Sequence, residues 1–168
     1  ILSYDYLWQN VRVKGGAYGC MSSFNRLGDG YFVSYRDPNL EKTNEIYEGI
    51  TQYLRQFDVS DRDMTKYIIG TISNIDQPMN PAAKGDRSLN LYMNHVSKEM
   101  IEKERKEILD ATQEDIRKLA DVVDAVLKAN QLCVIGSEEK IEEQKTLFDE
   151  TKDLFYKYKK RGKHESRL

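Results

Sequence analysis

Hydrophobic positions recur at helical spacing over residues 1–13, where Tyr4, Leu7, Trp8 and Val11 fall on one stripe. The pattern then runs into Gly15 and Gly16 and changes period. Residues 17–25 and 31–36 alternate as strands, with Tyr31, Val33 and Tyr35 on one face and Phe32 and Ser34 on the other. Between them, Arg26-Leu27-Gly28-Asp29-Gly30 has the residue types of a hairpin turn. Asp37-Pro38 predicts a helix start, with Asp as N-cap and Pro at the first helical position. Ile46, Tyr47, Ile50, Tyr53, Leu54 and Phe57 follow as a stripe wide enough to cover a sheet.

Ser60 with Asp63 predicts a capped helix carrying Met64, Tyr67, Ile68 and Ile72. Residues 77–85 hold two prolines and a glycine and predict a loop. A helical pattern over residues 88–109 breaks near Ser97. Thr112 with Asp115 opens a stronger helix, with Ile116, Leu119, Val122, Val123, Val126 and Leu127 expected inward. Residues 132–135 form a short continuous apolar run that predicts a buried strand. Ser137 then caps a last helix bearing Ile141, Leu147 and Phe148.

A length of 168 residues, 39% hydrophobic and 32% charged, fits one domain with long polar helix faces. A net charge of −2 gives no global field to recruit nucleic acid or an anionic membrane, so neither is expected as a partner. No apolar run has the length of a membrane span. Cys20 and Cys133 provide neither a disulfide framework nor metal-ligand spacing. Both lie in apolar surroundings and are expected as buried thiols in a reducing compartment: cytoplasm, or an organelle matrix in a eukaryote. The chain opens on Ile within a helical pattern that has no cap ahead of it, as a fragment of a longer protein would.

Catalytic constellations are few. His95 and His164 lack a second ligand at helical spacing, so no metal site is expected in this chain. No Ser-Xaa-Gly elbow is present, and Cys20 has no histidine nearby in sequence. The order helix, glycines, strand reverses that of a phosphate-binding loop, which excludes nucleotide binding on that motif. Acidic residues four positions from lysines, such as Glu99 and Lys103 or Glu102 and Lys106, read as solvated helix decoration. The lysine-rich tail from Tyr156 reads as a solvated terminus, with a docking patch for an acidic partner as the other option.

The junction at Gly15, Gly16 and Gly19 is the segment that stands out. Glycines there permit unusual dihedrals and close approach of another chain. Arg12 and Tyr18 flank the opening, and both are hydrogen-bond donors of the kind that holds a carbonyl oxygen or an oxyanion. On these residues alone the segment reads first as a helix-to-strand connection that requires glycine, with ordinary polar side chains beside it.

The run Val11-Arg12-Val13-Lys14-Gly15-Gly16-Ala17-Tyr18-Gly19, preceded by Leu7-Trp8, resembles the C-terminal part of the pitrilysin/insulinase-type zinc metallopeptidases, in their presequence-protease branch. Ser34-Tyr35-Arg36-Asp37-Pro38-Asn39-Leu40, Ile69-Gly70-Thr71-Ile72 and Pro81-Ala82-Ala83-Lys84-Gly85 agree with it, in the family's order. The likeness covers about residues 1 to 150 of this chain.

The resemblance implies a clam-shaped parent of two homologous halves that encloses unfolded peptides. Zinc is bound in the first half by an inverted His-Xaa-Xaa-Glu-His motif, which this chain lacks. The second half supplies an arginine and a tyrosine, matched here by Arg12 and Tyr18. Arg12 would bind the substrate backbone, beside the open backbone of Gly15 and Gly16, and Tyr18 would steady the oxygen of the tetrahedral intermediate.

On this resemblance residues 1–153 are a C-terminal substrate-binding domain and 154–168 a basic tail. The fold it implies is α+β, an antiparallel-rich sheet including residues 17–36 and 132–135, with helices on one face and its N-terminal strands missing. Peptide substrates and the N-terminal half of the parent are the expected partners. The chain by itself is expected to be inactive and to self-associate through surfaces the missing strands would cover. The alternative is a non-catalytic homologue serving as a peptide-binding or assembly module.

Overall fold

A computed structural model describes residues 1–26 and 28–153. The tail expected from 154 onward lies outside the described residues. Two compact units are present, residues 1–131 and a second beginning at Leu132.

The first unit opens with a helix over Leu2–Lys14 wound as a π-helix. Its i→i+5 winding brings residues four apart nearly into line, more closely than an α-helix does. Leu7 and Val11 therefore stack on the inward side, both fully buried, with Leu2 and Tyr6 packed beside them. Tyr4 and Trp8, expected on the same inward stripe, project outward instead; Tyr4 is 75% exposed. The correction follows from the winding: the expected stripe assumed a narrower turn, which would have wrapped positions 4 and 8 onto the face of 7 and 11.

The helix leads into an antiparallel hairpin, β1 (Gly19–Phe24) and β2 (Gly30–Tyr35), in the register Gly19↔Tyr35 to Phe24↔Gly30. Asn25 and Asp29 clamp its turn through Asn25 Nδ2 donating to Asp29 Oδ2 at 2.8 Å and Asp29 N donating to Asn25 Oδ1 at 3.0 Å. Cys20 and Phe32 pack toward the core, and Met21, Tyr31, Val33 and Tyr35 face outward. Helices thus cover one face of the sheet, as expected of the α+β class.

Helix α1 (Glu41–Glu48) starts later than Asp37-Pro38 predicted. The Asp37 carboxylate accepts from Asn39 N at 2.9 Å and from Thr43 Oγ1 at 2.8 Å, so it closes a turn ahead of the helix instead of capping it. Gly49 separates α1 from α2 (Ile50–Arg55), and the predicted stripe is shared between them. Ile50 and Leu54 join Leu7, Val11 and Ala17 in the core.

Two predicted caps are present, at Ser60 and Thr112, and a third stands at Ser97, where the sequence predicted only a break. Ser60 Oγ accepts from Asp63 N at 3.2 Å to open α3 (Asp61–Ile75). Ser97 Oγ accepts from Met100 N at 3.3 Å to open α5 (Lys98–Leu109). Thr112 and Asp115 form a reciprocal capping box at the start of α6 (Gln113–Lys128). These bonds hold the Asp115 carboxyl below its ordinary range, and Lys66 and Ser60 do the same for Asp63.

Helix α4 (Pro81–Met93) begins inside the segment read as a loop. Asn80 Oδ1 caps Ala83 N at 2.8 Å and Pro81 takes the first helical position, which turns an apparent breaker into a start. Along α5 the ion pairs are Lys98–Glu102 and Lys103–Glu107, at 3.5 and 3.7 Å, one position out of phase with those expected. Helix α6 packs on α2, and Ala120 and Val123 complete the core. Leu119 and Val122, expected inward, are half exposed, because α6 buries only the side it turns to α2.

In the second unit, residues 132–135 form no strand, a correction to the predicted sheet. With no ladder to bury it, Cys133 is exposed, whereas Cys20 on β1 is half-buried. A short helix, α7, spans Glu138–Glu143 with Ser137 at its N-cap position but without a side-chain cap bond.

Candidate functional site at the helix–hairpin junction

The junction between the π-helix and β1 is fixed by backbone bonds at both ends. Gly16 N donates to Arg12 O at 2.9 Å and Ala17 N to Val11 O at 3.2 Å, which closes the helix. Gly16 has φ +83°, a left-handed conformation that glycine takes without a Cβ penalty. At Gly15 a Cβ would collide with the Val11 carbonyl oxygen. Asn39 Nδ2 donates to Gly15 O at 2.6 Å, so the turn after β2 ties down the glycines from the other side. Beyond them Tyr18 N donates to the carbonyls of Tyr35 and Arg36, at 3.1 and 3.3 Å. Arg12, Gly15, Gly16 and Tyr18 therefore occupy one closely pinned connection.

Each donor side chain rests on an aromatic support of its own. The Arg12 guanidinium carbon lies 3.8 Å from the centre of the Trp8 ring, and Tyr4 stands 6.4 Å from Trp8 on the next turn. This outward ladder of positions 4, 8 and 12 is the counterpart of the inward pair 7 and 11. Arg12 is half-buried, and among the described residues it has no carboxylate partner. Its charge opposes the effect of burial on Cys20, whose thiol is nonetheless pushed up from its ordinary value, mainly by burial.

Tyr18 is 64% exposed and meets the Tyr35 ring edge-on at 5.8 Å. Its hydroxyl makes no side-chain hydrogen bond among the described residues. Neither donor is sealed in the core, and both retain unused hydrogen-bonding capacity.

Sequence reasoning placed Trp8 in the core and gave Asn39 no role. The i,i+4 spacing of Trp8 and Arg12 was the available signal for the first; nothing in the sequence pointed to the second. Among the described residues no group of three or more His, Cys, Asp or Glu side chains is disposed to hold a metal ion. No described helix is long and apolar enough to cross a membrane. A cavity of about 1210 Å³ lies elsewhere, between α3 and α5, lined by Tyr67, Ile68, Lys103 and Ile108 among others. Its charged lining is mixed in sign, with Lys66, Lys103 and Lys106 beside Glu104, Glu107 and Asp110.

Residues 1–139 match the model of the PreP C-terminal domain family. The chain belongs to this family. Relatives of the PreP C-terminal domain described here include Protein HypA of Clostridium perfringens, 48% identical over 92% of this chain and 16% of that protein. Presequence protease 1, chloroplastic/mitochondrial, of Arabidopsis thaliana is 39% identical over 84% of this chain and 13% of its own length. The mitochondrial presequence protease of Emericella nidulans is 30% identical over 81% of this chain and again 13% of that protein. The chain thus spans less than a fifth of the length of these relatives.

Proposed function

We propose that this PreP C-terminal domain is the substrate-holding wall of a zinc endopeptidase that degrades short unfolded peptides. The observation that carries the reading is the pair of uncommitted donors, Arg12 and Tyr18, pinned to one glycine turn by hydrogen bonds from both sides. Two relatives are named presequence proteases, which supports a peptidase parent. In this reading the zinc ion and the water it activates are held by a part of the parent outside this chain. Such a parent works in a reducing compartment, in keeping with the free thiols of Cys20 and Cys133.

In this reading Arg12 binds the peptide backbone. Its five N–H groups exceed what the Trp8 stack uses, since stacking occupies the face of the guanidinium and leaves its edge free. A substrate carbonyl is a suitable acceptor for that edge. A hydrogen bond to a charged group contributes about 1.5–3 kcal/mol. Arg12→Ala in the full-length parent should therefore lower kcat/KM for an unstructured peptide by about 10- to 150-fold, by the usual conversion of 1.4 kcal/mol per tenfold change. Steady-state hydrolysis, with metal content measured in parallel, checks this. A variant that keeps its metal and its normal kcat/KM removes Arg12 from the site.

A further inference from the structure

Arg36, the residue immediately after β2, is one of only three non-glycine residues at positive φ among those described, with φ +48°. This left-handed conformation is unfavourable for a long side chain, and Gly or Asn would adopt it more readily. The conformation brings the Arg36 carbonyl within reach of Tyr18 N and leaves the guanidinium carbon 5.5 Å from the Tyr18 ring centre and 5.3 Å from that of Tyr35. Both distances lie within the range of a cation–π contact. Among the described residues Arg36 has no carboxylate partner; the neighbouring Asp37 carboxylate is engaged by Asn39 and Thr43. The charge is therefore placed on two exposed rings and has no other partner among the described residues.

We propose that Arg36 is a positioning residue that sets the direction of the Tyr18 phenol, through its contacts with the two edge-on rings and the shared backbone bond. The proposal rests on the reading of Tyr18 as a transition-state donor. Left alone, an exposed tyrosine at a strand end samples several staggered rotamers, and a donor spread over them loses rate. Contacts with Arg36 and with the Tyr35 ring restrict that choice. Backbone strain held beside a functional side chain is the usual setting for such pre-organisation.

The test is a double-mutant cycle in the full-length parent with an unstructured fluorogenic peptide, using Arg36→Gly, Tyr18→Phe and the double variant. Glycine fits φ +48° better than arginine, so the backbone at this position is preserved. Arg36→Gly should lower kcat by between about two-fold and thirty-fold, the range of a cation–π contact, with KM almost unchanged. In the Tyr18→Phe background the same substitution should cost less than about two-fold, because there is no hydroxyl left to direct. Arg36→Lys should recover most of kcat. Equal losses in both backgrounds, a loss confined to KM, or normal turnover of Arg36→Gly beside a slow Tyr18→Phe would each overturn the role of Arg36. Normal turnover of Tyr18→Phe would instead overturn the reading of Tyr18, and the proposal for Arg36 with it.

Discussion

Tyr18→Phe in the full-length parent should lower kcat by about a hundred- to a thousand-fold while metal content and the unfolding midpoint stay the same. The magnitude is that of removing one donor from a developing oxyanion, about 2.7–4 kcal/mol of barrier. The expectation is selective because of what Phe retains. The edge-on contact with Tyr35 and the cation of Arg36 both involve the ring, so the support of the side chain survives and only the hydroxyl is lost. That hydroxyl has no side-chain partner among the described residues, so nothing inside the domain is left unsatisfied by its removal. Steady-state kinetics on a short unstructured peptide read the effect directly. Turnover within a few-fold of normal would show that the phenol does not act on the reacting oxygen.

Leu7→Ala should produce the largest loss of stability. Leu7 is fully buried and packs in one cluster with Val11, Ile50, Leu54 and Ala120. The described core holds few large, fully buried side chains, and Leu7, Ile50 and Val11 are the principal ones. A buried leucine cut back to alanine costs about 2–5 kcal/mol, from lost transfer energy and the cavity left behind. Tyr4→Ala on the same helix should cost no more than about 0.5 kcal/mol, as surface substitutions do. Denaturant titration of the 168-residue chain compares the two. Equal costs would mean that the π-winding does not sort these positions as described. The consequence for function is indirect, since the helix anchored by Leu7 carries Trp8 and Arg12 on its other side.

The contrast between Leu7 and Tyr4 also shows where sequence reasoning stops. Helix starts were legible at Ser60 and Thr112, because a short polar side chain answers an orphan N–H within its own turn and needs no distant partner. The hairpin was legible for the same reason, its turn being closed locally by Asn25 and Asp29. The π-winding was not. Its apolar positions fit an α-helical stripe, and the choice between the two is made by packing on Ile50 and Leu54, far away in sequence. Pro81 misled as a loop signal because its role depends on the Asn before it. Residues 132–135 misled because a short apolar run does not say whether a partner strand exists.

The candidate site was legible only in part. Glycine-bordered donors could be seen, but their roles came from family resemblance, and the stacking partners Trp8 and Arg36 came from the structure. Arg36 could not have been singled out by residue type, since positive φ is a property of the folded turn. Sequence-level expectation fails most clearly at such strained positions, where local preference gives way to function.

The most direct measurement of the central claim is a structure of the full-length parent with an unstructured peptide bound. The account predicts the Arg12 guanidinium and the Tyr18 hydroxyl within about 2.7–3.2 Å of acceptors on one short stretch of that peptide. A peptide seated in the cavity between α3 and α5, with both donors facing empty solvent, would contradict it.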